Sequence, residues 1–517
     1  MSKAKKAAKS AAIIMFFTLA SKFLGFLREV LIAKKFGSGW ETDTYFIAMT
    51  ATTMIMTMVG TAINTTVIPL FSEIEVKHGK ERKIDYMNNI LNVVFFIAII
   101  IMILGWIFSP AIIKVVARGF EGKQFDLAVK LNRIGIPIVL FMGMTYIFKG
   151  FLESSESFTA PAAMSLPFNL IYIGFLLALA SKYGIVGLMV SSVVAALSQV
   201  LIQIPSAKRL GYKYRFKIDL KDRYLRKALA LTIPVLIGSA INELNVIVDK
   251  SLASGLTKGS ISALTYASRI NSIVLGVFVM AIATVIFPML SKASNEENME
   301  SLKEIMSYGI NIVLIVTIPA TIGLIVLAEP FVRIFFQRGA FDSTATLMTS
   351  QAVIFYSIGM VGMALKIMLN RVFYSLQDTR TPMINGAIAV GINIGLNLIL
   401  VRFMAHRGLA LATSISAIFT TLLLINSLRK KLGNIDIKNY LSCFIKSIIA
   451  SIIMGVIVYA IYSGLSPILG VKKILDLIAF LLSVGIGSVI YFGLCYLFKI
   501  EEINFIMDRL KLKLKLK

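Results

Sequence analysis

Apolar runs about twenty residues long, separated by short polar connections, follow one another along the whole chain. A helix rises about 1.5 Å per residue, so each run is long enough to cross the roughly 30 Å hydrocarbon core of a bilayer. The runs centre near residues 23, 56, 100, 140, 170, 196, 239, 276, 315, 358, 390, 418, 452 and 485, which predicts an all-α polytopic membrane protein of about fourteen transmembrane helices. Composition supports this and closes off a soluble globule. Of 517 residues 57% are hydrophobic and 15% charged, and no polar stretch between the runs is large enough for a soluble domain. The N-terminus imitates a signal peptide, with Lys3, Lys5, Lys6 and Lys9 ahead of an apolar core. That core continues past Lys22 and Arg28 without a convincing cleavage site, so a retained helix is expected.

Compared with itself, the chain matches at one nearly constant displacement. Val67-Ile68-Pro69-Leu70-Phe71-Ser72 aligns with Ile286-Phe287-Pro288-Met289-Leu290-Ser291, 219 residues on. Arg118-Gly119 aligns with Arg338-Gly339 at 220, and Thr44-Tyr45, Pro161 and Gly187-Leu188 align with Thr265-Tyr266, Pro382 and Gly408-Leu409 at 221. Each copy holds six helices, an even number, so the two copies are parallel repeats related by an axis roughly along the membrane normal. The expected organisation is an N-lobe at 1–209, a basic linker at 210–222, a C-lobe at 223–431, two additional C-terminal helices at 432–499 and a basic tail at 500–517. Two six-helix lobes around a central cavity is an architecture of alternating-access transport.

Net charge is +26, which in a soluble chain would suggest nucleic acid. Here the cations sort by connection. Lys77 to Lys83, the stretch Lys208 to Lys227 with nine Lys and Arg, and Arg429 to Lys431 fall on one side of an alternating topology, and Ser38 to Asp43 on the other is poor in them. The positive-inside rule then makes both termini cytoplasmic, with no nucleic-acid partner implied. The Leu- and Lys-rich tail, Ile503 to Lys517, suits either an interfacial segment on anionic lipid or a solvated basic end. Cys443 and Cys495 lie inside apolar runs and read as buried inert thiols. His78 and His406 are far apart in polar connections, which argues against a His-based metal centre.

Charges inside the spans are the informative exceptions, because ionisable groups at membrane depth face a bundle interior or a wet cavity. The first span, Ala11 to Phe36, carries Lys22, Arg28 and Glu29. Lys22 and Glu29 are seven residues apart and share a helix face, with Arg28 about 100° round from Glu29. The seventh span carries Asn242, Glu243, Asn245 and Asp249, and Asp249 stands 220 residues after Glu29, at its repeat position. Arg269 and Asn271 follow on the eighth span, Lys366, Asn370 and Arg371 on the tenth, and Lys149 on the fourth. Bland readings exist for several: Lys149, Lys366 and Arg371 can snorkel, Asp249 with Lys250 can lie at an interface, and Lys22 with Glu29 can form a satisfied pair. Cations exceed acids at these positions, and surplus guanidinium and ammonium groups favour an anionic substrate such as a phosphate.

Pro69, Pro137, Pro234, Pro288 and Pro319 fall within or at the ends of helices and can supply bends. Asp378, in Gln-Asp-Thr-Arg-Thr-Pro, reads as a turn or N-cap residue ahead of as an ion ligand. No phosphate loop, nucleophile elbow or zinc signature is present in the sequence. A membrane-embedded transferase would need a general base in an ordered loop, and the outward connections offer no candidate cluster, so a transporter rather than an enzyme is expected.

Several stretches carry a family resemblance: SKFLGFLREVLIAKKFG from Ser21 to Gly37, ETDTYFIA from Glu41 to Ala48, the VIPLFSE and VIFPMLSK copies, RGAFD from Arg338 to Asp342 and FYSLQDTRTP from Phe373 to Pro382. Together they resemble the lipid II flippase family MurJ, also called MviN, within the multidrug, oligosaccharidyl-lipid and polysaccharide exporter superfamily. The likeness covers essentially the whole chain. It implies a bacterial inner-membrane protein that moves the undecaprenyl-pyrophosphate-linked peptidoglycan precursor from the cytoplasmic to the outer leaflet, as a monomer beside the cell-wall synthesis machinery. It also implies roles by position: Arg28 and Arg269 match cavity arginines, Glu29 an acid beside the first, and Asp43 the acid of a Thr-Asp motif. Lys22 stands where many members have another arginine. The second span departs further, reading Thr50-Ala51-Thr52-Thr53-Met54-Ile55-Met56-Thr57-Met58 where an arginine is usual. A sodium site known in the family maps onto Asp249 and Asp378, with Tyr374 where an amide can stand, and membrane potential is the other expected driving force. Competing readings are a flippase for another polyprenyl-linked glycan and a cation-coupled drug antiporter, whose cavity would be apolar and acidic.

Overall fold

The computed structural model describes residues 3–469 and 473–504, and every element in them is helical or a connection between helices. The segment 505–517, most of the expected interfacial tail, lies outside the described residues. Eleven described helices are long and apolar enough to cross a membrane, or twelve with the pair Ser343–Ile358 and Met360–Ser375, which is bent by 46°. Two features reconcile this with the fourteen runs in the sequence. The opening helix, Lys3–Phe36, stands outside that tally, and Trp40–Ile107 is a 68-residue helix interrupted at Gly79.

Gly79 has φ 79° and ψ 176°, a conformation open to glycine without strain, so the two arms of Trp40–Ile107 fold back on each other. Ile63, Val67, Leu70 and Ile74 of the first arm pack with Met87, Ile90 and Leu91 of the second, and the Phe71 and Tyr86 rings meet edge to face at 5.4 Å. The turn also holds a lysine that nothing in its sequence context singles out. Lys83 is 1% exposed, donates to Glu75 at 2.6 Å and to Ser155 at 2.7 Å, and lies over the Phe151 ring. Threonines in the first arm solve their own hydrogen-bonding problem: Thr50, Thr53, Thr57, Thr61 and Thr66 each donate to the carbonyl four residues back.

The chain divides into two compact units, Met1–Ser262 with Arg338–Phe341, and Ala263–Gln337 with Asp342–Lys517. In the first, the helix Arg223–Ser254 packs on Trp40–Ile107 and on Ser109–Val116. Its N-terminus is capped by Asp222, whose carboxylate accepts from the Tyr224 and Leu225 amides and pairs with Arg82. Burial alone would push that carboxyl up, but the Arg82 guanidinium and the two amides outweigh it and hold it below the usual range.

In the second unit, the eighth span contains a five-residue π-helical segment, Leu275–Val279, between Ser260–Val274 and Met280–Asn295. The final pair of helices, Ile437–Leu469 and Lys473–Leu497, packs on Met299–Val326 and Ala328–Phe335. A polar network fixes one end: Arg333 donates to Tyr462 at 2.7 Å, and Tyr462 donates to Asp476 at 2.7 Å. Cys443 and Cys495 are free and buried here. His406 is also buried, at the first residue of His406–Leu432, and so is not in an exposed polar connection as its sequence context suggested.

Backbone geometry repeats as the sequence does. Positive φ values at Gly37, Gly79, Gly122, Glu156, Gly184 and Gly211 have counterparts at Gly259, Glu297, Gly339, Gln377, Ala405 and Gly433. The displacements run from 217 to 222 residues, bracketing those of the sequence landmarks. Left-handed residues are rare outside glycine, so a matched set of them marks two copies of one six-helix design.

Candidate functional site

The first helix places Arg28 in a made-to-fit pocket. Its Nη2 donates to Glu29 Oε1 at 2.7 Å and its Nη1 to Asn169 Oδ1 at 3.2 Å. The guanidinium lies over two rings, 5.1 Å from the Tyr172 centroid and 5.5 Å from that of Phe168. Tyr172 is fixed in turn, its hydroxyl 3.2 Å from that of Tyr45, which lies 3.1 Å from Ser192 Oγ. Arg28 is therefore gripped at both ends and on its flat face, and what it presents is a planar cation of fixed orientation at membrane depth.

Lys22 and Glu29 do share a face, but Glu29 takes its bond from neighbouring Arg28, and Lys22 stands exposed two turns away. Lys22 lines a cavity of about 290 Å³ together with Ser21, Lys149, Glu153 and Ser165. There Lys149 pairs with Glu153 at 3.9 Å. Two lysines from different spans thus face one space, a pairing the sequence could not show. Lys366, on the tenth span, is half-buried, and Arg371 lies over the Phe287 ring.

Asp43 serves a different purpose from the cavity cations. It is buried, and its carboxylate accepts from the Gly259 amide at 2.6 Å, the Ser262 amide at 2.7 Å and the Ser262 hydroxyl at 2.5 Å. This is N-cap chemistry supplied from another helix, with an anion on the positive end of Ser260–Val274. Neighbouring connections of the first unit meet at the same end. The Ala340 amide donates to Lys34 O at 2.9 Å, Ser38 Oγ to Gly259 O at 3.0 Å, and the Gly119 amide to Ser254 Oγ at 2.9 Å.

Arg269 is exposed on Ser260–Val274 in the second unit, two residues before the buried Asn271, whose Oδ1 accepts from Ser357 at 3.2 Å. Asp249 is half-buried near the end of Arg223–Ser254. Asp378 caps Arg380–Met404: it accepts from the Thr381 amide at 3.0 Å and the Thr381 hydroxyl at 2.8 Å, and pairs with Lys431 at 2.7 Å. The Lys431 ammonium holds the Asp378 carboxyl down at about 2. Both Asp378 oxygens are thus engaged in this structure. Among the described residues no three His, Cys, Asp or Glu side chains gather to hold a metal.

Sequence reasoning missed the residues that seat Arg28. Asn169 left a usable signal, a lone amide in the apolar run of the fifth span, whereas Phe168 and Tyr172 look like ordinary packing until a guanidinium lies on them. The arginine expected on the second span has no simple replacement in place. Thr52, buried there, donates to Asn132 Oδ1 at 3.1 Å, and Asn132 donates on to Ser109.

A polytopic helical chain built on a parallel six-helix repeat, with an oriented guanidinium held inside a span, defines a membrane transporter rather than an enzyme. The description "Lipid II flippase MurJ" belongs to the family model that matches residues 32–479. Over 498 residues the chain is 28% identical to a probable lipid II flippase MurJ of Rickettsia prowazekii, covering 95% of this chain and 98% of that one. It is 30% identical over 436 residues to the corresponding Vibrio cholerae protein, covering 82% and 83%. A solved structure of lipid II flippase MurJ in an inward closed conformation superposes with a TM-score of 0.79 at 28% identity, over 94% of this chain and 99% of that one. An inward-facing multidrug resistance transporter of the MATE family shares the fold, with a TM-score of 0.68 at 13% identity. The chain belongs to the lipid II flippase MurJ family and is a multi-pass membrane protein.

Proposed function

We propose that this chain carries lipid II, the polyprenyl-pyrophosphate-linked peptidoglycan precursor, from the cytoplasmic to the outer leaflet of the bacterial inner membrane by alternating access. The single observation behind this is Arg28, a planar cation that Glu29, Asn169 and two rings hold in one orientation inside an apolar span. A diphosphate is a ligand suited to such a group, since guanidinium groups bind phosphate oxygens two at a time. Lys22 and Arg269 add charge, and Glu29 orients Arg28 while keeping the empty cavity from excessive repulsion. Binding the diphosphate offsets repulsion among the cations, so the loaded carrier closes and the empty one resists. The lobes of this cycle are 1–209 and 223–431, joined by 210–222, with the two helices of 432–499 beside the path of the lipid tail.

Both termini are cytoplasmic in this reading, because the basic connections alternate with poor ones. The contacts of Asp43, Gly119, Ser38 and Ala340, all within the first unit, then lie on the outer side. Membrane potential biases the cycle, since one charge moved through 100 mV is worth about 2.3 kcal/mol. The protein works as a monomer near the enzymes that make and use its substrate.

Expression in cells depleted of their own lipid II flippase tests the assignment. Wild-type protein restores growth and peptidoglycan synthesis, while Arg28→Ala and Arg269→Ala, present at equal membrane levels, do not. Rescue by both variants would remove the cation clamp, and failure of the wild type would point to another lipid-linked glycan.

A further inference from the structure

The basic connection 210–222 is bound along the second arm of Trp40–Ile107 by three asparagines. Asn88 donates to Lys213 O at 3.0 Å and accepts from the Arg215 amide at 3.0 Å. Asn89 repeats this on Asp219, donating at 2.9 Å and accepting at 2.7 Å, and Asn92 donates to Lys217 O at 3.1 Å. Side-chain amides here do for an extended segment what a neighbouring strand does in a sheet.

That extension turns the sequence into two rows, because side chains alternate along an extended backbone. Tyr214, Phe216, Ile218 and Leu220 form one row and Lys213, Arg215 and Lys217 the other. The apolar row is uncovered: Phe216 is 68% exposed, and its ring contacts Phe96, itself exposed on an apolar span. A cavity of about 680 Å³ lies beside it, walled by Leu91, Phe95, Met144, Phe148 and Ile204. Lys208, Lys213 and Tyr212 are among its other lining residues, with Asn92, Gly211 and Tyr214. Tyr212 is 6% exposed and its hydroxyl has no hydrogen-bond partner. A buried donor without a partner, beside two lysines and above an apolar slot, is a half-made site.

We propose that this is a binding site for an anionic phospholipid. An acyl chain fills the apolar cavity, the phosphate rests against Lys208 and Lys213, and the Tyr212 hydroxyl donates to a headgroup or ester oxygen. Arg215 adds charge at the rim, and the row from Tyr214 to Leu220 lies in the surrounding bilayer. The exposed apolar row is continuous with membrane-crossing helices, which makes a lipid the occupant rather than a soluble anion. The site rests on the chain's being embedded in a bilayer and not on which lipid it translocates.

The full-length chain, delipidated in detergent, is titrated with phosphatidylglycerol or with phosphatidylcholine of the same acyl chains and read by native mass spectrometry. Phosphatidylglycerol binds more tightly. Each surface cation is worth about fivefold toward an anionic lipid, so Lys208→Ala, Lys213→Ala and Arg215→Ala combined weaken it roughly a hundredfold. Phosphatidylcholine binding is unchanged, and the combined Arg429→Ala and Lys430→Ala variant keeps its phosphatidylglycerol. Should the triple variant melt early, Lys213→Glu alone carries the test, since that side chain is exposed. Equal binding of the two lipids, unchanged phosphatidylglycerol binding in a folded variant, or displacement of the lipid by free glycerol phosphate would each overturn the site.

Discussion

At the residue scale, the chemistry rests on how tightly single side chains are held. Arg28 meets a carboxylate, an amide and two rings at once, and a lysine cannot meet all of them. Arg28→Lys keeps the charge and is expected to slow lipid translocation roughly tenfold, the worth of a cation–π contact and a directed hydrogen bond. Asp43 stands under a different demand. Asp43→Ala strands two buried amides and a hydroxyl, and its thermal unfolding in detergent is expected to show a loss of about 2–3 kcal/mol, with Asp43→Asn losing less. Asp378, held at about 2 by Lys431, stabilises the folded chain above the ordinary aspartate range and loses that contribution as pH falls through about 2. The stability gap between wild type and Asp378→Asn, about 1 kcal/mol for so accessible a pair, should therefore persist at neutral pH and shrink between pH 4 and pH 2.

At the scale of elements, close backbone approaches at glycines tie connections of the first unit together. Gly37 and Gly339 both have positive φ, and a Cβ on either would run into a carbonyl oxygen, that of Ala340 or of Lys34. Gly37→Ala or Gly339→Ala should cost about 1–3 kcal/mol in thermal unfolding. Gly395→Ala, in a helix with nothing near its Cβ, should be neutral or slightly stabilising. These elements also show what the sequence could and could not disclose. Spans and the repeat were legible because lipid demands long apolar runs and duplication leaves landmarks such as Pro69 and Pro288. The fold-back at Gly79 left only a polar patch in the sequence, and the burial of Lys83 left nothing, since a lysine in a basic turn looks solvated until Glu75 and Ser155 close on it. Among candidate site residues, Arg28 was legible because its charge sits deep in an apolar run. The capping role of Asp43 was not, because its partners, Gly259 and Ser262, are more than two hundred residues away.

At the scale of the whole molecule, the proposed cycle links these parts. In it cations gather a diphosphate and neutralisation permits closure. The missing arginine of the second span does not remove the anion logic. In the proposed cycle Lys22, which shares a cavity with Lys149, is the flexible part of a clamp whose rigid part is Arg28. Translocation of lipid II in vesicles containing the purified chain tests the central claim most directly, with lipid II added to one leaflet and its arrival in the other followed over time. Wild-type protein is expected to transfer it, Arg28→Lys about tenfold more slowly and Arg28→Ala not above background. Transfer by folded Arg28→Ala at the wild-type rate would contradict that claim.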